Sequence, residues 1–454
     1  MAGRVVEDVM EQDIKNEMKQ RILAEIDMSQ EIDDMEVRRL VDQCIMEYKG
    51  TTELSLSARI KLRKELFNTV RRMDVLSEFL EDESVTEIMI NGYDNIFIER
   101  SGRVHKVDQT FENEERLASI IQQIVAGCNR IVNEAIPIVD ARLADGSRVN
   151  VVLPPISLNG PTMTIRKFPK EKMTMERLIE VGALSEDAAE FLERLVKARY
   201  NIFVSGGTGA GKTTFLNALS DYIPQQERVI TIEDSAELQL KNVVNLVRLE
   251  SRNSNVEGTN AVTIRELIKS SLRMRPDRVI VGEVRDAAAI DMLAAMNTGH
   301  DGSLSTGHAN SSRDMITRLE SMVLMGMELP LEAVRRQIAS AVDVIIHLGR
   351  LRDGSRKVLE IAEVTGMREG QVELHTIYEF EEMAAGEVQE VTDMIYAAAG
   401  TLPGQKVTDG FQLQKVTGRF RARAELLHQE KFLRAGIPYK SVLCAAERPE
   451  GAGA

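Results

Sequence analysis

Apolar residues at helical spacing dominate the first part of the chain. They recur at intervals of three and four residues, the period of one face of an α-helix. The three stripes comprise Ile14, Met18, Ile22 and Ile26; Val37, Leu40, Val41, Cys44 and Ile45; and Ile60, Leu66, Phe67, Val70, Met73 and Leu80. This pattern predicts a helical bundle over residues 1–82. A module that docks a partner through the same faces is the alternative that amphipathic spacing leaves open.

From about Val85 the pattern changes to short apolar runs, which are typical of strands. Such runs lie at 88–90, 96–98 and 148–153, with an Asn-Gly turn after the first and a helical pattern at 114–129. They predict a mixed α/β domain over residues 83–168. Pro169 and the charged residues after it indicate a linker at 169–178.

Beyond the linker, helical patterns alternate with short, largely apolar runs. The runs at 202–204, 229–232 and 279–281 are typical of buried strands in a parallel sheet. We therefore expect an α/β domain over residues 179–380 and a C-terminal extension over 381–454. A length of 454 residues suits such a division into two or three domains.

The composition narrows the class of protein. A net charge of −14 argues against a main role in wrapping nucleic acid, because such proteins usually carry an excess of Lys and Arg. The three cysteines, Cys44, Cys128 and Cys444, form no CxxC pair, so neither a tetracysteine zinc site nor a disulfide framework is expected. No apolar run approaches the ~20 residues that cross a bilayer. The acidic start is unlike a signal peptide, and we expect a cytosolic protein.

A glycine-rich segment lies between the apolar run at 202–204 and a helical pattern. Its residues are Gly206, Gly207, Thr208, Gly209, Ala210, Gly211, Lys212, Thr213 and Thr214. Glycines let the backbone fold around a phosphate with its N–H groups pointing inwards, and the following helix adds a favourable dipole. Lys212 is expected to reach the β- and γ-phosphates, and the Thr213 hydroxyl to ligate Mg²⁺. The segment predicts a P-loop that binds a nucleoside triphosphate.

Two later apolar runs end in acidic residues. The run at 229–232 leads to Glu233 and Asp234, and the run at 279–281 leads through Gly282 to Glu283. In a parallel sheet, such carboxylates lie at the carboxyl edge beside the P-loop. Hydrolysis needs one group to orient or deprotonate water and another to hold the metal through its water shell, so we expect both glutamates to be catalytic. Taken singly, an acid after a strand is more often a helix cap or a solvated turn residue.

Two histidines lie in the glycine-rich segment 298–310. Isolated histidines are usually structural, but His308 follows the short strand expected at 304–306. There it is expected to donate a hydrogen bond to the γ-phosphate and to report its loss. The spacing of His300 and His308 differs from that of an HExxH site, so no transition metal is expected.

Four motifs occur in a familiar order. They are the P-loop, an Asp box at 232–238, an atypical Walker B motif at 275–285 and a His box around His308. In this the chain resembles the secretion ATPases of type II and type IV systems. Within that family, segments 140–150 and 164–168 resemble the CpaF-like ATPases of tight-adherence (Flp) pilus assembly. The resemblance covers roughly residues 85–375, and the absence of a tetracysteine motif points away from the type II branch.

The resemblance implies a RecA-like ATPase domain preceded by the mixed α/β domain and the helical segment, with ATP held between the two domains of each subunit of a homo-hexamer. By motif, Glu233 would activate water, Glu283 would support Mg²⁺ and His308 would sense the γ-phosphate. It further implies that a set of N-terminal arginines closes on the nucleotide, surface salt bridges being the alternative for each. These are Arg142, Arg148 and Arg166.

The expected function is a motor that hydrolyses ATP to power assembly or secretion of type IV-like pili. Its partners would be inner-membrane platform proteins, which it would contact from the cytoplasm as a peripheral protein, with no stable nucleic-acid partner. One alternative is a RecA-like motor that translocates nucleic acid in a conjugation-type system, although few aromatic residues (4%) are present to stack bases. A regulatory switch that binds ATP but barely hydrolyses it is the other.

Overall fold

A computed structural model describes residues 34–47, 75–100, 102–168, 172–252, 261–383 and 416–443, together with single helical residues between 18 and 66. The chain divides into two compact units, Met1–Lys170 and Glu171–Ala454. Helices α1 (Asp34–Glu47) and α2 (Leu76–Glu81) fall within the predicted bundle. Most of the first and third apolar stripes lies outside the described residues, so the bundle stays a prediction.

The first unit is built on a six-stranded sheet in which every pairing is antiparallel. Its strands are β1 (Val85–Asn91), β2 (Ile96–Arg100), β3 (Arg103–Lys106), β4 (Ile138–Arg142), β5 (Arg148–Val152) and β6 (Thr162–Arg166), in the order β3-β2-β1-β6-β5-β4. Helix α3 (Glu114–Gly127) shares one apolar core with the sheet. Asn113 caps this helix by accepting a hydrogen bond from the Arg116 amide at 2.8 Å.

The apolar pattern identified part of this unit. The strands expected at 88–90, 96–98 and 148–153 and the helix expected at 114–129 are confirmed. Strands β3, β4 and β6 were not predicted. Strands β3 and β4 are the two edges of the sheet, and their side chains are mostly exposed, so they carry few of the apolar residues that mark a strand. Strand β6 lies between β1 and β5, but its two buried residues alternate with threonines instead of forming an apolar run.

The second unit contains a nine-stranded sheet flanked by helices. Its strands are β7 (Ile202–Gly206), β8 (Arg228–Glu233), β9 (Asn245–Glu250), β10 (Arg278–Val281), β11 (Leu304–His308), β12 (Val344–Arg350), β13 (Arg356–Arg368), β14 (Gln371–Glu382) and β15 (Gly418–Ala422). Its helices are α4 (Met175–Glu180), α5 (Glu186–Lys197), α6 (Lys212–Ser220), α7 (Ile264–Ser271), α8 (Ala288–Asn297), α9 (Ser312–Gly326), α10 (Leu331–Ala341) and α11 (Glu430–Ala435). No helix in the described ranges is long and apolar enough to cross a bilayer.

The strand order in this unit is β15-β14-β13-β12-β7-β11-β10-β8-β9. The strands from β12 to β9 in this order pair in parallel, and β13 to β15 extend the sheet antiparallel. Alternate residues of the buried strand β7 face two cores: Ile202 and Val204 pack with α5 and α6, and Phe203 packs with α8 and α9. The α/β class is confirmed.

The parallel pairing brings the carboxyl ends of β7, β11, β10 and β8 to one edge of the sheet, in that order. The chain leaves β7 towards β8 on one side, while β12 lies on the other. Strand β7 therefore ends where the strand order reverses, which is the position where open α/β sheets bind ligands. The P-loop, Glu233, Glu283 and His308 each lie at the end of one of these strands or just after it.

The C-terminal residues 416–443 are integrated into the second unit. Strand β15 pairs with β14, and Phe432 of α11 lies against Tyr200 with ring centroids 5.3 Å apart. Lys431 of α11 donates to Asp343 at 2.6 Å and to Asp301 at 2.9 Å. Asp343 also accepts the backbone amide of Asn201 at 2.6 Å. This cation therefore ties the C-terminal segment to the starts of β7 and β12.

Replacing Lys431 with Met is expected to lower the free energy of unfolding of the second unit by about 1–3 kcal/mol, because a largely buried carboxylate then loses its cation. Burial already raises the pKa of Asp343, and Lys431 opposes that rise. Urea unfolding followed by circular dichroism measures the loss. The control is Lys440→Met, which removes a surface pair with Glu190 whose side chains are 51% and 45% exposed and should cost less than about 1 kcal/mol. Equal losses in both variants would contradict the assignment.

Candidate nucleotide site

Strand β7 delivers the P-loop to the carboxyl edge of the sheet. Gly206 is the last residue of β7 and Lys212 is the first residue of α6, so the loop forms the turn between them. Gly211 caps α6 with a φ of +90°, a left-handed conformation that strains any residue with a Cβ. The Lys212 side chain is buried, and its ammonium donates to the Gly207 carbonyl at 3.0 Å. The lysine side chain therefore folds back and binds the backbone of the P-loop.

A line of polar side chains runs from Lys212 across the ends of β11 and β10. Lys212 Nζ lies 3.2 Å from His308 Nδ1. His308 Nε2 lies 2.9 Å from Glu283 Oε1, at ion-pair distance but outside hydrogen-bond geometry. Glu283 Oε2 accepts a hydrogen bond from Arg285 at 2.7 Å. A neutral imidazole with its proton on Nε2 suits both neighbours, because Nδ1 then accepts from the ammonium.

Burial and charge set the protonation of this line. Burial lowers the pKa of Lys212, and Glu283 opposes the effect. Burial and the nearby ammonium also lower the pKa of His308, so the imidazole is mostly neutral at pH 7. Burial raises the pKa of Glu283, but Arg285, His308 and Lys212 together outweigh it and leave that pKa below its ordinary value. An ammonium, a neutral imidazole and a carboxylate therefore meet beside the P-loop.

Glu233 occupies a separate, buried position at the end of β8. Its side chain is 3% exposed, and Oε1 accepts the backbone amides of Glu237 and Leu238, both at 2.9 Å. Oε2 has no hydrogen-bond partner among the described residues. Burial raises the pKa of Glu233 to about 7, although the two amides lower it. The side chain packs against the backbone of Gly282, where a Cβ would approach Glu233 Cγ to 2.8 Å.

The two glutamates are thus neighbours with different surroundings. They follow the paired strands β8 and β10, and Glu233 contacts the residue that precedes Glu283. Within the described ranges, no hydrogen bond joins Glu233 to Lys212, His308 or Glu283. The structure brings the last three residues together directly and places Glu233 behind them.

Thr213 and Glu283 are the oxygen donors expected to serve Mg²⁺. Thr213 is the second residue of α6 and is partly exposed. Hydroxyl and carboxylate oxygens are ligands that Mg²⁺ accepts, so the residue types fit the ion. Because Arg285 and His308 already engage Glu283, its carboxylate suits contact with the metal's water shell.

The arginines expected to close on the nucleotide form a row across the sheet of the first unit. Arg142 of β4 lies opposite Arg148 of β5, and Arg148 lies opposite Arg166 of β6. Opposed residues of antiparallel strands point to the same face, where like charges repel one another. Glu87 of β1 lies opposite Arg166 at the end of this row, so the row combines three arginines with one carboxylate. The arginines belong to the first unit and the P-loop to the second, and their contact with nucleotide stays a prediction.

Two side chains next to the P-loop were missed in the sequence. His347 of β12 is 7% exposed, and its Nδ1 lies 3.2 Å from the Ser205 hydroxyl on β7. Arg356 of β13 donates to the Gly209 carbonyl at 2.8 Å. Both reach the loop only because β12 and β13 extend the sheet beside β7, and no local pattern signals that pairing.

The chain is similar to proteins of conjugation and type IV secretion systems. A Mycobacterium tuberculosis protein named for conjugal transfer is 33% identical over 356 residues, which are 77% of this chain and 99% of that protein. The conjugal transfer protein TrbB of Rhizobium radiobacter is 33% identical over 68% of this chain and 93% of its own length. The type IV secretion system protein VirB11 of Brucella suis is 32% identical over 64% of this chain and 88% of its own length.

Solved structures of similar proteins include the VirB11 ATPase of Brucella suis in complex with sulphate, at 31% identity over 63% of this chain and 95% of that chain, with a TM-score of 0.36. The pilus retraction motor PilT with bound ADP is 20% identical over 72% of this chain and 89% of that chain, with a TM-score of 0.48. A family model described as type II/IV secretion system protein matches residues 70–399. Because that match spans most of this chain, the chain belongs to the type II/IV secretion system protein family.

Proposed function

We propose that this chain hydrolyses ATP to ADP and phosphate with Mg²⁺. One observation carries the proposal: beside the P-loop, His308 contacts both Lys212 and Glu283. An ammonium that binds phosphate oxygens, a histidine and a carboxylate at the carboxyl edge of a parallel sheet are the groups that phosphoryl transfer requires. Membership of the type II/IV secretion system protein family supports the same activity.

The contacts suggest an order of events. Oxygens of the γ-phosphate compete with Gly207 and His308 for the Lys212 ammonium, so ATP binding frees His308 to donate to the phosphate instead. Glu233, once ionised, accepts a proton from the attacking water through Oε2, the oxygen without a partner in the fold. Bound Mg²⁺ would neutralise charge on the phosphates, held by Thr213 and supported by Glu283. After phosphate leaves, His308 returns to Lys212.

The wider role we propose is that of a homo-hexameric motor that powers assembly or secretion of type IV-like (Flp/Tad) pili. ATP would lie between the two domains of each subunit, with Arg142, Arg148 and Arg166 closing on it. The partners would be inner-membrane platform proteins, contacted from the cytoplasm as a peripheral protein. The family match and the segments 140–150 and 164–168 support this role.

The names of the relatives favour a second candidate, a motor that moves nucleic acid in a conjugation-type secretion system. Such a motor needs a cationic path for phosphates and usually aromatic platforms for bases. The net charge of −14 and the aromatic content of 4% favour a protein partner instead.

Lys212→Gln and Glu283→Gln should each lower ATP turnover by about 100-fold or more, because each removes a charge that acts on the phosphates or the metal. Phosphate release from purified protein with Mg²⁺ measures the effect. The matched control is Lys197→Gln, which changes an exposed lysine paired with Glu193 and should leave turnover unchanged. Wild-type rates in both site variants would refute the proposed activity.

The role of Glu233 predicts opposite responses of activity and stability to pH. The base works ionised, so kcat/KM should rise with pH through about 7 in the wild type. Folded Glu233 has a raised pKa, so it favours the folded state below its ordinary pKa and loses that contribution as pH rises through 7. Between pH 5 and 8 the wild type should therefore lose roughly 2–3 kcal/mol of stability relative to Glu233→Gln.

Thermal melts of both proteins across this pH range measure the stability difference, and the same buffers serve for kinetics. Glu233→Gln should also be inactive while binding ADP normally, because its amide keeps the two backbone hydrogen bonds. Parallel melting curves at every pH, or normal turnover by the variant, would exclude Glu233 as the base.

The two candidate roles differ in their response to DNA. A pilus motor should show ATP turnover that single-stranded DNA changes by less than about twofold, whereas a nucleic-acid motor should be stimulated severalfold at low salt and less as salt rises. The measurement is phosphate release against DNA concentration at two salt levels, with Lys212→Gln as the blank. Strong, salt-sensitive stimulation would replace the pilus role with the conjugation role.

A further inference from the structure

A polar cleft opens beside the P-loop on the side of helix α9. Its volume is about 440 Å³, and its walls include Gly207 and Thr208 of the loop, His308, Asn310 and Arg318. All of these residues belong to the second unit. A cleft of this size holds a phosphate with several waters, and it starts where the γ-phosphate of a nucleotide in the P-loop is expected.

Arg318 is the cation of this cleft, and no carboxylate holds it. Its side chain is exposed, and no ion pair to it occurs among the described residues. Asp314 lies one turn earlier on α9, the usual partner position on a helix, and also lines the cleft, but it forms no salt bridge with Arg318. Other arginines of this unit are paired, among them Arg285 with Glu283 and Arg335 with Glu320.

The cleft is coupled to the hydrolytic residues through His308. His308 lines the cleft and contacts both Lys212 and Glu283. The positive charge of Arg318 is among the causes that lower the pKa of His308. An anion between Arg318 and the P-loop would therefore meet a guanidinium on one side and His308 on the other.

We propose that Arg318 binds a phosphoryl group at the open end of the P-loop, first as the γ-phosphate of ATP and then as free phosphate leaving through this cleft. The forked N–H groups of a guanidinium can bind two phosphate oxygens at once. A lysine ammonium at the same position could not match both oxygens in this way. In the hydrolysis step the oxygen of water forms a bond to the γ-phosphorus, its proton passes to Glu233, and the bond to the bridging oxygen breaks as ADP leaves, so Arg318 takes no covalent part. Asp314 opposes the anion, which favours its release over its retention. This inference rests on the proposed ATPase activity and assigns a residue that the four motifs leave without a role.

The experiment compares Arg318→Gln and Arg318→Lys with the wild type and with a control, Arg336→Gln. Arg336 is an exposed arginine on α10 that pairs with Glu332 and does not line the cleft. Calorimetry measures the Kd of ADP and of a non-hydrolysable ATP analogue, both with Mg²⁺. Steady-state assays measure inhibition of turnover by inorganic phosphate. These two arms separate the bound γ-phosphate from the free ion.

For Arg318→Gln we expect the ATP-analogue Kd, the phosphate inhibition constant or both to rise about tenfold, the worth of one charge-assisted hydrogen bond. The ADP Kd should change by less than about twofold. The constants of Arg318→Lys should fall between those of the wild type and Arg318→Gln, because lysine keeps the charge and loses the forked pair of N–H donors. Arg336→Gln should match the wild type in every measurement.

Two results overturn the inference: unchanged affinity for both the analogue and phosphate in Arg318→Gln, or an equal loss of ADP affinity, which would show a general effect on the nucleotide site. Both leave the proposed function intact, provided that the wild type turns over ATP and Lys212→Gln does not. A wild type that binds neither nucleotide removes the proposed function and this inference with it.

Discussion

The parallel pairing of β7 with β11 and of β11 with β10 is the constraint on which the site depends. It sets His308 opposite Gly206 and places the end of β10 one strand further on. Side chains separated by up to 96 residues in the sequence thereby meet within about 3 Å. A slip of one residue would turn alternate side chains to the wrong face of the sheet and break the line from Lys212 to Glu283. The fully buried β7 and β10 fix the register against such a slip.

Burial of the Glu233 carboxylate destabilises the folded second unit, and the rest of that unit offsets the loss. Glu233 keeps a carboxylate in a nearly closed position with one oxygen unpaired, which is unfavourable when the group is ionised. Two backbone amides reduce this cost without removing it. Extensive cores on both faces of the sheet and the clamp of α11 through Lys431 supply the compensating stability. In the proposed reaction, the same burial gives Glu233 a pKa near neutrality, which suits a general base.

The sequence identified the parts of this architecture that are encoded locally. The P-loop, the buried strands and the strand-end glutamates each have a signal within a few residues, and the central helices follow their apolar period. Strands β13 to β15 gave no such signal, because polar and apolar residues are mixed along them and many of their side chains are only partly buried. The roles of His347 and Lys431 could not be predicted for a related reason. Ser205, the partner of His347, lies 142 residues away in the sequence, and Asp343, the partner of Lys431, lies 88 residues away. The unequal surroundings of the two glutamates also required the packing of Gly282 to be seen.

The charges at the ends of β7, β11 and β10 satisfy one another through contacts within the chain. Lys212 is held by Gly207 and His308, and Glu283 by His308 and Arg285. In the proposed reaction a triphosphate would replace these contacts, so part of its binding energy would go into releasing His308 and reorienting Glu283. Because His308 ends β11 directly before the loop that leads into α9, its release would reach that helix first. A motor of the proposed kind would use this path to convert the presence of the γ-phosphate into a displacement at the edge of the sheet.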